Sequence, residues 1–179
     1  MLSIPTEETI SVEWFNACFA RAGLTGTVSG FDAERVGTGQ IGKCVRYTLR
    51  FSDQGELPAS VIGKFPSDDE NSRQTGVVLL NFLKEVRFYQ ELKHRIAIKT
   101  PRCYFAEIID QGPEFFLLLQ DLSPAQQGDQ LAGCSLLVAK AALAELVGLQ
   151  APAWCDATLH DLKWLRDAEA AALVNTMDL

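Results

Sequence analysis

The sequence predicts an α+β fold with a five-stranded antiparallel sheet, one helix that crosses it, and helices after the last strand. Three observations support this prediction. Residues 44–51 alternate between apolar and polar side chains, which is the period of a half-buried strand. Short turns at 52–55 and 110–113 join apolar runs, and connections this short favour antiparallel neighbours. Residues 76–93 have helical spacing instead, so strands and helices do not alternate as in a parallel α/β fold.

The first half of the chain is read as a helix followed by about three strands. Residues 9–22 carry apolar side chains at helical spacing, and Gly23 suits the end of that helix. The glycine-punctuated stretch LTGTVSGFDAERVGTGQIGK then leads into the alternating strand. In that strand one set of side chains should face the core: Val45, Tyr47, Leu49 and Phe51. Residues 59–65 form the next strand, and residues 68–74 are read as a polar loop.

The second half begins with the helix over 76–93, whose apolar face should carry Val78, Phe82, Tyr89 and Leu92. The runs CYFAEII and EFFLLLQ follow and predict a hairpin. Residues 122–133 lack a regular period and are read as a connector. Two Ala- and Leu-rich helices should occupy 135–149 and 157–175, on either side of the sequence APAW. We divide the chain into a first unit, 1–122, and a second, incomplete unit, 123–179.

Composition restricts the classes of function. The chain has 179 residues, a formal net charge of -7 and a sequence pI near 4.8, which argues against binding to nucleic acid. The N-terminus lacks the charged and apolar regions of a signal peptide, and no apolar run reaches the ~20 residues of a membrane helix. The five cysteines are scattered and the two histidines have no metal-site spacing. We therefore expect a cytoplasmic protein with reduced thiols, no protein-bound structural metal and no membrane partner.

Residues 37–42 read GTGQIG, a glycine pattern with three possible meanings. A dinucleotide-binding fingerprint must open a helix, and here the alternating strand follows. The segment GTGQIGKC at 37–44 nearly matches the P-loop pattern. However, Cys44 replaces the Ser or Thr that would bind magnesium, and again no helix follows. The third meaning is a glycine-rich hairpin folded over ATP phosphates, which predicts a lysine on the next strand and a carboxylate on the next helix. An ordinary hairpin turn also fits the glycines.

Lys64 and Glu85 are the lysine and the carboxylate at those two places. Lys64 ends the apolar run VIGK, where it must either reach solvent along its own stem or find an anion. Glu85 falls on the same predicted helix face as Phe82 and Tyr89, so it should have a cationic partner. Lys64 is the nearest candidate on the preceding strand. The alternative for Glu85 is a carboxylate at the rim of the core that reaches water.

With these residues in place, the chain resembles protein-kinase-like phosphotransferases, most closely the aminoglycoside-phosphotransferase and ecdysteroid-kinase-like (choline-kinase-like) group. The resemblance is carried by GTGQIG at 37–42, VIGK at 61–64, KEVRFYQEL at 84–92 and FFLLLQDLSPAQQGDQLAG at 115–133. It implies a kinase-like N-terminal lobe followed by the first helices of a helical C-terminal lobe. It also implies ATP and Mg²⁺ as cofactors and a small-molecule hydroxyl as the phosphate acceptor.

The resemblance assigns roles to individual residues. Lys64 would hold the α- and β-phosphates, and Glu85 would orient Lys64. The phosphates would also lie against the glycine loop, which comprises Gly37, Thr38, Gly39, Gln40, Ile41 and Gly42. Adenine would bind the main chain of a hinge formed by Gln120, Asp121 and Leu122. Asp129, in GDQ, also matches the group, but its role is left open; it could cap a turn or helix.

Other residues that phosphoryl transfer needs in this group are missing from the sequence. The only candidate for the catalytic loop is His160-Asp161, and Arg166 stands where the loop would have Asn. We read His160 and Asp161 as surface residues of a helix, and we expect the chain to be part of a longer enzyme and inactive alone. The alternative function is a non-catalytic, pseudokinase-like module that binds a nucleotide or a partner. Either way, exposed helices of the second unit could cause self-association.

Overall fold

The computed structural model describes residues 2–37, 39, 41–126, 128–129 and 131–166. It confirms an α+β fold built on one antiparallel sheet of five strands, in the order β1-β2-β3-β5-β4. The strands are β1 (Thr27–Val36), β2 (Gly42–Asp53), β3 (Ser60–Pro66), β4 (Cys103–Ile108) and β5 (Phe115–Gln120). The first strand lies within the glycine-punctuated stretch, and the last two form the predicted hairpin.

The helices are α1 (Val12–Arg21), α2 (Glu70–Val78), α3 (Asn81–Arg87), α4 (Leu136–Ala153) and α5 (Lys163–Arg166). A π-helical turn, Phe88–Leu92, continues α3, and 3₁₀ turns occupy Lys93–Arg95 and Ala157–Asp161. The N-terminal helix is shorter than predicted because the side chain of Ser11 accepts a hydrogen bond from the Trp14 amide and so caps it.

The alternation read in residues 44–51 matches the burial of β2. Val45, Tyr47 and Leu49 are buried in a core that α1 covers, and Phe51 packs against its edge. The intervening side chains face the other side of the sheet, which α3 covers in part. The sheet therefore has an α1 face and an α3 face, and neighbouring residues of a strand point to opposite faces.

The helix predicted over 76–93 is wrong in its first part, and so is the loop predicted over 68–74. The side chain of Asp69 accepts a hydrogen bond from the amide of Ser72, so a helix begins inside the predicted loop. Leu80 then adopts a left-handed conformation with φ 56°, which separates α2 from α3. Val78 consequently leaves the predicted apolar face and is 48% exposed.

Beyond β5, the connector at 122–133 has no helix or strand among its described residues, as predicted. The following helix was expected to end before APAW, but α4 continues to Ala153 and includes Pro152. Proline has no amide hydrogen to donate to the carbonyl of Gly148, and the Ala97 amide donates to that carbonyl instead, at 2.8 Å. A tertiary hydrogen bond thus satisfies the group that the proline leaves without a helical donor.

The helix predicted over 157–175 is described only as far as residue 166. There it consists of the 3₁₀ turn Ala157–Asp161 and the short α5, while 167–175 lies outside the described residues. His160 and Asp161 are exposed on the 3₁₀ turn, which agrees with their reading as surface residues. Trp164 is buried against Leu80 and Leu83, and its indole nitrogen donates to Glu91 at 2.8 Å.

All residues of α4 are described, and none of them is buried. The helix has 18 residues and a mean hydropathy of 1.4, so by length and composition it could cross a membrane. Core helices of soluble proteins can have the same length and composition.

Candidate functional site

Lys64 and Glu85 form an ion pair across the α3 face of the sheet. The Lys64 ammonium lies 2.6 Å from each carboxylate oxygen of Glu85. Such distances are typical of charge-assisted hydrogen bonds. Lys64 is opposite Cys44 on one neighbouring strand and Leu117 on the other, so it projects from the middle of the sheet. The pairing expected from the sequence is confirmed, and neither residue is a solitary charge beside the core.

The position of Glu85 follows from the packing of α3. Phe82 and Val86, on either side of it in the sequence, are buried against Phe115 and Leu117 of β5. These two anchors fix the helix on the sheet, and Glu85 is then carried toward Lys64 at the edge of the apolar contact. Both charged side chains remain partly exposed. The ammonium is therefore held in place by the protein and still reachable by an anion from the solvent side.

The glycine loop between β1 and β2 passes beside this ion pair. Gly37 has φ +77°, a conformation that favours glycine. A Cβ on Gly39 would lie 2.7 Å from the carbonyl oxygen of Gly42, and one on Gly42 would lie 3.4 Å from Cε of Lys64. The backbone of the loop is thus close to the lysine, with no side chain between them at Gly42. Thr38 and Gln40, also predicted to bind the nucleotide, lie outside the described residues.

Ile41 docks the glycine loop onto the helical side of the sheet. Its side chain packs against the cluster that contains Phe82, and it also lies against Gly76, where a Cβ would come within 2.9 Å of it. Its carbonyl accepts a hydrogen bond from the Ser67 amide at 3.3 Å. Ile41, one of the predicted nucleotide-binding residues, therefore uses its side chain for packing, which a glycine pattern alone does not reveal.

The hinge residues predicted to bind adenine comprise the last residue of β5, Gln120, and the two residues that follow it. The carboxylate of Asp121 is only 5% exposed and accepts hydrogen bonds from Arg46 at 2.7 Å, Ser60 at 2.8 Å and the Ser123 amide at 2.9 Å. Partial burial raises the pKa of this carboxyl, but the hydrogen bond from Arg46 and the others outweigh it, and the net pKa is lowered. The Asp121 side chain thus fastens the hinge to β2 and β3, and only its main chain could face a purine.

The two other hinge residues, Gln120 and Leu122, also form hydrogen bonds within the protein. The amide of Gln120 donates to the carbonyl of Arg102 at 2.7 Å, and its side chain accepts from the Arg102 amide at 3.2 Å. Leu122 has an exposed side chain, and its carbonyl accepts from Ala125 at 2.9 Å. Sequence reasoning missed Arg46 and Ser60 as hinge anchors. The signal available was an arginine on the polar side of the alternating strand, where Arg50 lies as well.

Lys43, the lysine of the rejected P-loop interpretation, lies on the α1 face, opposite to Lys64. It is paired with Glu7 at 2.5 Å and Asp68 at 2.6 Å. The segment that follows it is β2, not a helix. This arrangement lacks the helix N-terminus that a P-loop directs at phosphate.

Asp129, left without a role by the sequence, accepts hydrogen bonds from the amides of Leu131 at 2.8 Å and Ala132 at 3.2 Å. This is the capping geometry of an Asx turn.

A cavity of about 890 Å³ lies in the described part of the chain, between the N-terminal residues and the β4–β5 hairpin. Its walls include Ile4, Phe65 and Phe115, and neither Lys64 nor Glu85. Both side chains of the Lys64–Glu85 pair are partly exposed, so the site is accessible from solvent.

Comparison of the sequence with protein-family models gave no match. A search of curated proteins likewise gave no match.

Proposed function

We propose that this chain is the ATP-binding portion of a kinase-like, small-molecule phosphotransferase. The observation that carries the proposal is the Lys64–Glu85 pair at 2.6 Å beside the backbone of Gly42. Each element of the set, namely a glycine loop, a lysine on the next strand and a carboxylate on the following helix, has a use in holding polyphosphate. The proposed nucleotide-binding N-terminal lobe spans 1–122, and 123–179 begins a helical C-terminal lobe.

The residues around the Lys64–Glu85 pair fit the chemistry of ATP. Lys64 offers an ammonium that Glu85 already orients, so little side-chain freedom is lost when it binds the α- and β-phosphates. The glycine loop lets main-chain amides approach phosphate oxygens without a Cβ between them. The hinge after β5 places main-chain groups next to the apolar strand, which suits a flat purine. Mg²⁺ would arrive with the nucleotide and neutralise phosphate charge.

The described residues hold nucleotide-positioning groups rather than the groups that move the proton of an acceptor hydroxyl. The only loop candidate, His160-Asp161, is exposed on a 3₁₀ turn. We therefore expect negligible phosphate transfer from this chain alone, with the small-molecule hydroxyl bound by a further part of the enzyme. Turnover that survives Lys64→Ala would contradict the assignment.

The decisive experiment is ATP binding measured by calorimetry and by the shift in melting temperature. ATP at a hundred times its Kd should stabilise the wild type by ~2.7 kcal/mol. Lys64→Ala should weaken ATP binding by about 10- to 100-fold, since it removes a charged hydrogen-bond donor to phosphate. Glu85→Gln should weaken it less, because the lysine remains but loses its orienting charge.

Lys99→Ala is the matched control, because Lys99 is an exposed lysine that pairs with Glu145 of α4, away from the glycine loop. It should bind ATP like the wild type. Equal ATP affinity in Lys64→Ala and Lys99→Ala would overturn the proposal. Sensitivity at Lys43 together with insensitivity at Lys64 would instead favour the P-loop interpretation.

A second candidate is a non-catalytic, pseudokinase-like binding module, and the apolar surface of α4 is the observation that favours it. Leu137, Leu143 and Val147 are exposed along this helix, and Trp154 is exposed just beyond it. Apolar patches of this kind mark sites of association. ATP binding without transfer in the complete protein would support the module, and transfer to any hydroxyl compound would exclude it.

A further inference from the structure

Asp68 connects the two strands that flank the glycine loop. Its carboxylate accepts from the guanidinium of Arg35, near the end of β1, at 3.1 Å. It also accepts from the ammonium of Lys43, at the start of β2, at 2.6 Å. Arg35 precedes Gly37 and Lys43 follows Gly42, so one carboxylate holds both ends of the loop.

The main chain that carries this carboxylate is itself held in place. The guanidinium of Arg73, one turn into α2, donates to the carbonyls of Ser67 and Asp68, each at 2.9 Å. Lys43 is only 11% exposed and is also paired with Glu7 of the N-terminal segment. The contact with Lys43 is therefore partly sheltered from water, whereas the contact with Arg35 is exposed.

Both partners of the sheltered contact are charged around neutral pH. The hydrogen bond from Lys43 is the main reason that the pKa of Asp68 is lowered. Burial opposes the charge of Lys43, but its hydrogen bonds to Asp68 and Glu7 prevail and its pKa is raised. The connection does not depend on an unusual protonation state.

We propose that Asp68 is a positioning residue that orders the glycine loop for phosphate binding, an inference that rests on the proposed function. Asp68 holds the loop from the side of the sheet opposite to the Lys64–Glu85 pair. Its partner Lys43 points to the α1 face, whereas Lys64 and Glu85 lie on the α3 face. It touches no phosphate. Glycine-rich segments lose much conformational freedom when they order, and a loop ordered in advance binds its ligand more tightly.

The glycine loop is proposed to contact phosphates and the hinge to contact adenine, so ATP and adenosine should respond differently to a change at Asp68. Removing the charge of Asp68 should weaken ATP and leave adenosine unaffected. A substitution that damages the whole fold would weaken both ligands. The ratio of the two affinities therefore separates a positioning role from a general structural one.

The test measures the Kd of ATP and of adenosine for the wild type, Asp68→Asn and Asp68→Glu. In Asp68→Asn the Kd of ATP should rise by about 2- to 10-fold, the range expected when partly exposed ion pairs are lost. The Kd of adenosine should change by less than about 2-fold. Asp68→Glu restores the charge and should recover part of the ATP affinity. Asp32→Asn is the control, because Asp32 also pairs with an arginine on these strands, Arg50, away from the loop.

A second measurement is independent of nucleotide. Hydrogen exchange should be faster in the amides of residues 39–44 of Asp68→Asn than in those of the wild type, with 103–120 unchanged. Unchanged exchange at 39–44 would overturn the inference, and so would equal losses of ATP and adenosine affinity. If the wild type binds neither ligand, the proposed function fails, and the exchange measurement alone then decides whether Asp68 orders the loop.

Discussion

The strand β5 and the helix α4 are both rich in large apolar residues, yet they have opposite surroundings. In β5, Phe116, Leu117 and Leu118 are fully buried, because the sheet has apolar cover on both faces. In α4, which is described throughout, no residue is buried and Leu137 is 79% exposed. Composition alone does not distinguish the two segments.

The sheet of the first unit is thus enclosed by the helices that pack on it, whereas α4 of the second unit is not enclosed by the described residues. The residues up to the hinge supply both the sheet and the helices that cover it. A helix that is apolar on all sides is normally enclosed by protein or lipid. The described residues near α4 contribute a hydrogen bond from Ala97 and an ion pair from Lys99, but little apolar cover.

The largest expected effect on stability is at the buried strand β5. Phe116→Ala should reduce the free energy of unfolding by ~3–5 kcal/mol, because it opens a cavity among Trp14, Phe65 and Phe105. Leu137→Ala, on α4, should change it by less than ~0.5 kcal/mol. Denaturant unfolding of both variants measures the contrast. Similar losses in the two variants would mean that α4 is covered in solution.

Asp121 tests the boundary between the two regions, where the sheet ends. Asp121→Asn should destabilise the protein by ~1–3 kcal/mol, because Arg46 and Ser60 lose a buried charged acceptor. Asp129→Asn is a suitable control, since its carboxylate caps an exposed turn. Thermal unfolding should show a clear loss at the first position and little change at the second.

The same carboxylate gives a pH dependence of known sign. The pKa of Asp121 is lowered in the folded protein from its ordinary value of 3.8, so its contribution to stability is present above that value. It is lost as the pH falls through the folded pKa. The difference in unfolding free energy between wild type and Asp121→Asn should therefore be constant from about pH 5 to pH 8 and shrink below about pH 4. A difference that grew on acidification would contradict the assigned ion pair.

The smallest effect on stability, and the sharpest on association, is expected at α4. Leu143→Glu should reduce concentration-dependent self-association measured by sedimentation velocity, while unfolding free energy changes by less than ~0.5 kcal/mol. Lys140→Glu makes a larger change of charge on the same helix without removing an apolar side chain, and it serves as the control. Equal dissociation by both variants would assign the association to charge rather than to the apolar surface.

Local patterns in the sequence were enough to predict much of the sheet and the central pair of the site. The period of two placed Val45, Tyr47 and Leu49 in the core, and a charged residue at a helical core position pointed to the Lys64–Glu85 pair. Both inferences need only the spacing of neighbouring residues, because side-chain direction repeats with a fixed period in strands and helices. The catalytic role of the pair, the nucleotide and the acceptor remain proposals.

Contacts between residues distant in the sequence were not predictable from local patterns. The left-handed Leu80 divides a helix that periodicity had joined, and Gly148 of α4 accepts the hydrogen bond of Ala97. Arg46 fastens Asp121, and Asp68 connects Arg35 to Lys43, all through pairings between separate elements. The apolar face of β2 and the strand that carries Lys64 followed from the sequence. The partners of Asp68 and Asp121 were visible only in the folded chain, because these ion pairs join separate elements that packing brings together.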